Sequence, residues 1–143
     1  MNQFRGACHC GNIEVRFETE MAPSEFKLRA CDCTFCRKHG VRSVMDPKGR
    51  AFIAVREPSE LSRYQFGLAT SDFYVCKRCG AYAGAVLSES GGAWAVLNAN
   101  LFADQSVLPT TIESASYGSE TAERRSARRR VQWTPVVVQV RAV

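Results

Sequence analysis

Seven cysteines in 143 residues fall into three tight groups. Cys8-His9-Cys10 comes first, Cys31-Asp32-Cys33-Thr34-Phe35-Cys36 follows, and Cys76-Lys77-Arg78-Cys79 closes the set. Thiols at C-x-C and C-x-x-C spacing suit metal ligation or redox chemistry, and an odd number does not close a disulfide framework. Structural zinc takes four protein ligands in a tetrahedron, whereas catalytic zinc keeps one position open. Seven thiols divide accordingly into a set of four and a set of three. Cys8, Cys10, Cys76 and Cys79 are expected to hold a structural zinc. Cys31, Cys33 and Cys36 are expected to hold a catalytic one, which makes two zinc ions per chain.

The elements around these groups read as short strands. Ile13-Glu14-Val15-Arg16-Phe17-Glu18 alternates apolar with charged residues, the pattern of a half-buried strand. It starts after the turn Cys10-Gly11-Asn12, so the first cysteine pair sits on a knuckle that feeds a strand. Phe26 to Ala30 alternates again and delivers the chain to Cys31, and the central motif occupies a loop with a helical turn from Thr34 to Lys38. Further strands are expected at 41–45, 52–55, 61–66, 71–75, 82–87 and 93–97, the fourth of this set ending at Cys76, where Cys76–Gly80 forms a second knuckle. Arg128 to Trp133 is expected to be extended. Val136 to Val140, rich in β-branched residues, reads as a buried strand. With about nine strands and no helix beyond two turns, the expected class is all-β.

The length fits one domain over residues 1–143, and 45% apolar residues suffice for a core. No apolar run approaches the roughly 20 residues of a membrane-spanning helix, and residues 1–6 have no hydrophobic run of signal-peptide type. A cytoplasmic location with no membrane association is expected. The formal charge of +5 counts thiols as neutral. Seven thiolates outweigh two dications by three charges, so basicity gives little support to a nucleic-acid partner.

Three blocks carry a family resemblance: Gly6-Ala7-Cys8-His9-Cys10-Gly11, Cys31-Asp32-Cys33-Thr34-Phe35-Cys36-Arg37-Lys38 and Cys76-Lys77-Arg78-Cys79-Gly80. In order and spacing they resemble the glutathione-dependent formaldehyde-activating enzyme family, the group that also contains centromere protein V. Tyr117-Gly118, the Arg-rich segment after it and Trp133-Thr134-Pro135-Val136 resemble the group as well. The resemblance implies a β-tent fold of small antiparallel sheets, with two zinc sites divided four and three. It also implies a carbon–sulfur lyase-type activity, that of an S-(hydroxymethyl)glutathione synthase joining glutathione to formaldehyde or a related aldehyde.

Three thiolates on a zinc dication leave one net negative charge, and a soft thiolate from glutathione or a similar small thiol suits the open position. Binding it calls for positive charge nearby. Arg37 and Lys38, directly after the motif, are candidate glutathione contacts. The Arg124–Arg130 run is a further candidate for glutathione's carboxylates, although a solvated surface ranks first for it. His39 is a candidate proton shuttle, Asp32 a candidate orienting group, and Phe35, Phe73 and Trp94 are core residues or pocket walls. Two other functions compete: a non-catalytic glutathione or thiol carrier using the same open metal, and a zinc-stabilised module for binding protein or nucleic acid.

Overall fold

The computed structural model describes residues 1–140, which form eleven strands and two helices. In chain order these are β1 (Asn2–Ala7), β2 (Ile13–Thr19), β3 (Leu28–Cys31), α1 (Thr34–His39), β4 (Ser43–Val44), β5 (Arg50–Val55), β6 (Leu61–Tyr64), β7 (Asp72–Cys76), β8 (Tyr82–Glu89), β9 (Gly92–Asn98), β10 (Ile112–Ala115), α2 (Ala122–Gln132) and β11 (Thr134–Val140). The strand-dominated class implied by the sequence is the one observed.

All eleven strands join one open sheet, with β9 at its hub. On one edge β9 pairs with β8, which continues through β7 to β6. Its other edge is shared: Leu97 and Asn98 pair with β4, and Trp94 and Ala95 pair with the start of β11. From β4 the sheet runs to β3 and β10, and from β11 to β5, β2 and β1. Most pairs are antiparallel, but β3–β10 and β5–β11 are parallel. The sheet is therefore mixed, a departure from the purely antiparallel arrangement that the resemblance implied. Both parallel partners arrive by long returns of the chain, which local alternation does not reveal.

The alternation in β2 does what the pattern requires, burying Ile13, Val15 and Phe17 on one face. Phe17 meets Phe4, Phe26 and Phe102 in an aromatic cluster with centroid separations of 5.8–6.5 Å. This core lies under β1, β2 and β5. A second core, of Val41, Phe73, Tyr82, Ala85, Leu87, Val96 and Trp133, gathers around Cys36. A buried polar link ties the C-terminal strand to the rest: Thr19 donates to Asp46 (2.6 Å), and the Asp46 amide donates to the Thr134 hydroxyl (2.8 Å).

The expected strand at Arg128–Trp133 is instead the last part of α2, a helix of 11 residues. The Thr121 hydroxyl caps it by accepting from the Arg124 amide (3.2 Å), Glu123 lies in its first turn, and Arg129 and Arg130 lie in its last. Caps and charges of these signs stabilise helix ends. Alanine, glutamate and arginine are also good helix formers. Three consecutive arginines hide the helical period, because one of them faces inward. β11 also differs from expectation. Val136 and Val138 are half-buried while Val137 is 52% exposed, so the run has one free face. β1 and β10 carry mostly exposed side chains and are held at the sheet edges by backbone pairing, which hydropathy does not report.

Gly6 marks where β1 passes closest to the middle of the chain. It bridges to Phe102, and a Cβ there would lie 1.8 Å from the Leu101 carbonyl oxygen. Gly6→Ala is expected to destabilise the protein by about 1–3 kcal/mol through this backbone clash. Thermal unfolding of the variant checks this, and an unchanged midpoint would contradict it.

Candidate functional site

The four-cysteine group is built from two matching turns. In the first, the Cys8 amide donates to the Ile13 carbonyl (2.8 Å), the Gly11 amide to the Cys8 carbonyl (3.0 Å) and the Ile13 amide to the Cys8 Sγ (3.2 Å). In the second, the Cys76 amide donates to the Ala81 carbonyl (2.9 Å) and the Gly80 amide to the Cys76 carbonyl (2.8 Å). Gly80 has φ +80°, a conformation that favours glycine and folds the chain back after Cys79. These turns bring together sulfurs that are 66 residues apart in sequence: Cys10 and Cys76 Sγ are separated by 3.5 Å, and Cys8 and Cys10 by 3.8 Å. All four Sγ atoms lie within 4.8 Å of one another.

The three-cysteine group is built where β3 meets α1. Cys31 ends the strand, Cys33 caps the helix by accepting from the Cys36 amide (3.4 Å), and Cys36 lies buried in the first turn. Backbone bonds from Asp32 to Ala115 and from Val41 to Cys36 hold the loop on both sides. These three Sγ atoms also lie within 4.8 Å of one another. All seven cysteines are free thiols. Sulfurs on a tetrahedral metal with bonds of about 2.3 Å sit about 3.8 Å apart, so both donor sets fit a thiophilic ion. The protein thus has two cysteine clusters that could hold metal ions, divided four and three as the sequence implied.

The clusters already favour partial ionisation. Cys33 is held down to about 2 by thiol hydrogen bonds from Cys31 and Cys36, while the same neighbours and burial push Cys36 up. Burial pushes Cys76 up to about 12. At Cys79 burial opposes ionisation, but donation from the Ala81 and Cys10 amides and from neighbouring thiols prevails and lowers it to about 6. Thiolates hydrogen-bonded by thiols are poised to exchange those protons for a cation.

One wall of a cavity of about 130 Å³ is formed by Cys31, Cys33 and Cys36. Phe66, Phe73, Tyr82 and Val96 line it with apolar surface, and α2 contributes Arg125, Arg128, Arg129 and Trp133. Two of these arginines are tied down by one carboxylate. Arg128 donates to both oxygens of Glu120 (2.8 and 3.0 Å), and Arg125 Nε donates to Glu120 (3.3 Å) while its Nη2 donates to the Tyr117 carbonyl (2.7 Å). The Arg128 guanidinium also stacks over the Tyr117 ring at 3.6 Å. Arg128, followed by Arg125, holds the Glu120 carboxyl below its ordinary range.

Arg37 and Lys38 are exposed on α1 and do not line this cavity. His39 stacks on Phe35 at 4.1 Å, with Nδ1 2.9 Å from the Phe35 carbonyl oxygen, and also lies outside it. His9 is exposed between the two cysteines that flank it. Asp32 and Phe73 do line the cavity, whereas Trp94 faces a separate groove near Pro135 and Val137. The Arg124–Arg130 segment is divided. Arg124 is exposed, Arg130 pairs with Glu89 (2.8 Å), and Arg125, Arg128 and Arg129 reach the cavity. Sequence reasoning passed over Arg29, Tyr82 and Glu120. Tyr82, three residues beyond Cys79, starts the strand that follows the second turn, and that adjacency was the available signal.

The chain is thus a strand-dominated domain with two cysteine clusters that could hold metal ions, one of them beside a cavity. The sequence profile of the glutathione-dependent formaldehyde-activating enzymes matches residues 3–116, and the chain belongs to that family. A crystal structure of a Rhodobacter sphaeroides protein, solved as a structural genomics target, is similar at 26% identity and a TM-score of 0.53. The match covers 78% of this chain and 99% of that one. None of the described helices is long and apolar enough to cross a membrane.

Two outcomes test the assignment of roles. Cys79→Ser removes a link between distant turns and is expected to lower the unfolding midpoint far more than Cys36→Ser, which alters one local loop; equal losses would contradict the division. Glu120→Gln is expected to lower the midpoint at pH 7. Because the folded pKa of Glu120 is depressed, its contribution is present above the ordinary carboxyl range, around pH 4.3, and is lost as pH falls through the folded value. The gap between wild type and variant should therefore close in acid, and a gap that widens there would contradict the ion-pair account.

Proposed function

We propose that the protein is a zinc enzyme that joins glutathione, or a similar small thiol, to formaldehyde or a related aldehyde, the chemistry of an S-(hydroxymethyl)glutathione synthase. The observation that carries this reading is a three-sulfur cluster set in the wall of a cavity that also presents cationic side chains. Family membership supports a glutathione- and formaldehyde-related function. Cys8, Cys10, Cys76 and Cys79 would hold one zinc with a closed ligand set; Cys31, Cys33 and Cys36 would hold the other with a position to spare. A zinc ion bound by three thiolates supplies Lewis acidity and a site for a soft sulfur ligand.

In this reaction the thiol sulfur forms a bond to the aldehyde carbon, the C=O π bond opens onto oxygen, and the thiol proton ends on that oxygen. The chain's own residues contribute positioning and polarity. Phe73, Val96 and Trp133 exclude water from the cavity, which strengthens electrostatic contacts inside it. Burial, followed by the charge of Cys36, raises the Tyr82 phenol well above its usual range. It therefore keeps its proton and can donate a hydrogen bond to oxygen as charge develops there. The arginines of α2 supply positive potential for an anionic thiol. Holding the two small reactants together contributes most, because it turns a bimolecular addition into an oriented, effectively unimolecular step. A cytoplasmic setting, where thiols remain reduced, suits this chemistry.

Exchange NMR of glutathione and formaldehyde checks the proposal. Zinc-loaded wild type is expected to accelerate formation of S-(hydroxymethyl)glutathione at least about tenfold over buffer, and Cys36→Ser to bring the rate back to the background. Glutathione binding without acceleration would make the protein a carrier. Absence of both would leave the interaction-module reading in its place.

A further inference from the structure

Arg129 differs from every other arginine of α2. It is only 9% exposed, yet among the described residues no carboxylate lies within ion-pairing distance of it. Its Nη1 donates to two neutral hydroxyls, Thr70 (2.9 Å) and Ser71 (2.7 Å), and its Nε has no partner. The guanidinium sits 4.5 Å from the Trp133 ring centroid and lines the cysteine cavity. Burial lowers its pKa to about 10, so it remains a cation at neutral pH. Arg125 and Arg128, by contrast, share Glu120, and Arg130 has Glu89. A buried cation held only by hydroxyls and a ring is costly to the apo protein. An anion entering the cavity offsets that cost.

The cavity limits what that anion is. At about 130 Å³ it has ample room for a small polar group and falls short of the several hundred Å³ of a site that encloses a drug-sized ligand. It encloses a compact group, with any remainder of a larger molecule left outside. The same cavity is lined by sulfurs that carry net negative charge when metal is bound, so a doubly charged phosphate is repelled more strongly than a singly charged, planar carboxylate. A carboxylate also matches the planar donor fork of a guanidinium.

We propose that Arg129 is the carboxylate-binding residue of this cavity, and that the molecule used there carries its acid group close to the reacting sulfur or carbon. This rests on the cavity being the reaction site. The acid belongs either to the thiol, as in a small mercapto acid, or to the carbonyl compound, as in a 2-oxo acid. Placing an acid on Arg129 fixes the ligand's orientation against Cys31, Cys33 and Cys36. It also sets a specificity that formaldehyde, which has no charge, cannot exploit.

Calorimetry on the full-length, metal-loaded protein tests this with two matched pairs: mercaptoacetate against 2-mercaptoethanol, and glyoxylate against acetaldehyde. Wild type is expected to prefer at least one acid over its neutral counterpart by about tenfold or more. Arg129→Met should abolish that preference while the protein still folds, keeps its zinc content and binds the neutral partner. Arg129→Lys keeps the charge but loses the planar fork, so it should retain part of the preference; it serves alone if the methionine variant does not fold. Preference for mercaptoacetate assigns the acid to the thiol, and preference for glyoxylate assigns it to the carbonyl compound. Equal affinities within both pairs, or a preference that survives in Arg129→Met, overturn the proposal. So does loss of zinc from that variant with equal weakening of 2-mercaptoethanol, which would make Arg129 a counterion of the thiolates. Absence of glutathione turnover alongside an Arg129-dependent acid preference sinks only the glutathione reading. Turnover without any acid preference sinks only this one.

Discussion

The approach of Cys10 to Cys76, 3.5 Å between sulfurs, is the contact on which the rest of the arrangement depends. It joins the turn between β1 and β2 to the turn between β7 and β8, two hairpins on different arms of the sheet. Without a bound cation, four thiols packed this closely must share protons, and burial makes further ionisation at Cys76 costly. A divalent thiophilic ion relieves that cost and turns a crowded cluster into a cross-link. The remaining geometry follows from it. With β7 and β8 fixed, Phe73 and Tyr82 face the second core, and the three-cysteine loop closes over them.

The second cluster depends on the chain's last third. α2 lines the cavity with arginines alongside the sulfurs, and β11 then continues the chain to pair with β5 and β9. Glu120 is the economical element here, since one carboxylate orients two guanidinium groups and, through Arg128, the Tyr117 ring. Among the described residues, Arg129 has no such partner. The cavity therefore combines a sulfur wall that becomes anionic with an uncompensated cation, the polarity expected where an anionic ligand must approach a negative metal cluster.

Much of this was legible in the sequence because it is local. The spacing of seven cysteines identifies both clusters and their four-and-three division, and the alternation in Ile13–Glu18 gives β2 its buried face. What sequence reasoning missed is non-local or depends on a single side chain's direction. The parallel pairing of β10 with β3 is set by the long return of the chain. The helix at Ala122–Gln132 was obscured because Arg129 occupies an inward position that hydropathy assigns to an apolar residue. The charges adjacent to the motif, Arg37 and Lys38, were natural candidates by proximity. They are exposed on α1 and outside the cavity lining, which includes cations about 90 residues later.

The central claim is that four cysteines close one metal site and three leave another open. Zinc X-ray absorption of the two-metal protein, before and after addition of a small thiol, addresses it most directly. The account predicts sulfur scattering at about 2.3 Å, with a lighter oxygen or nitrogen contribution that disappears when the thiol occupies the open position. An all-sulfur shell that does not change on adding thiol would contradict it, as would a shell dominated by nitrogen and oxygen.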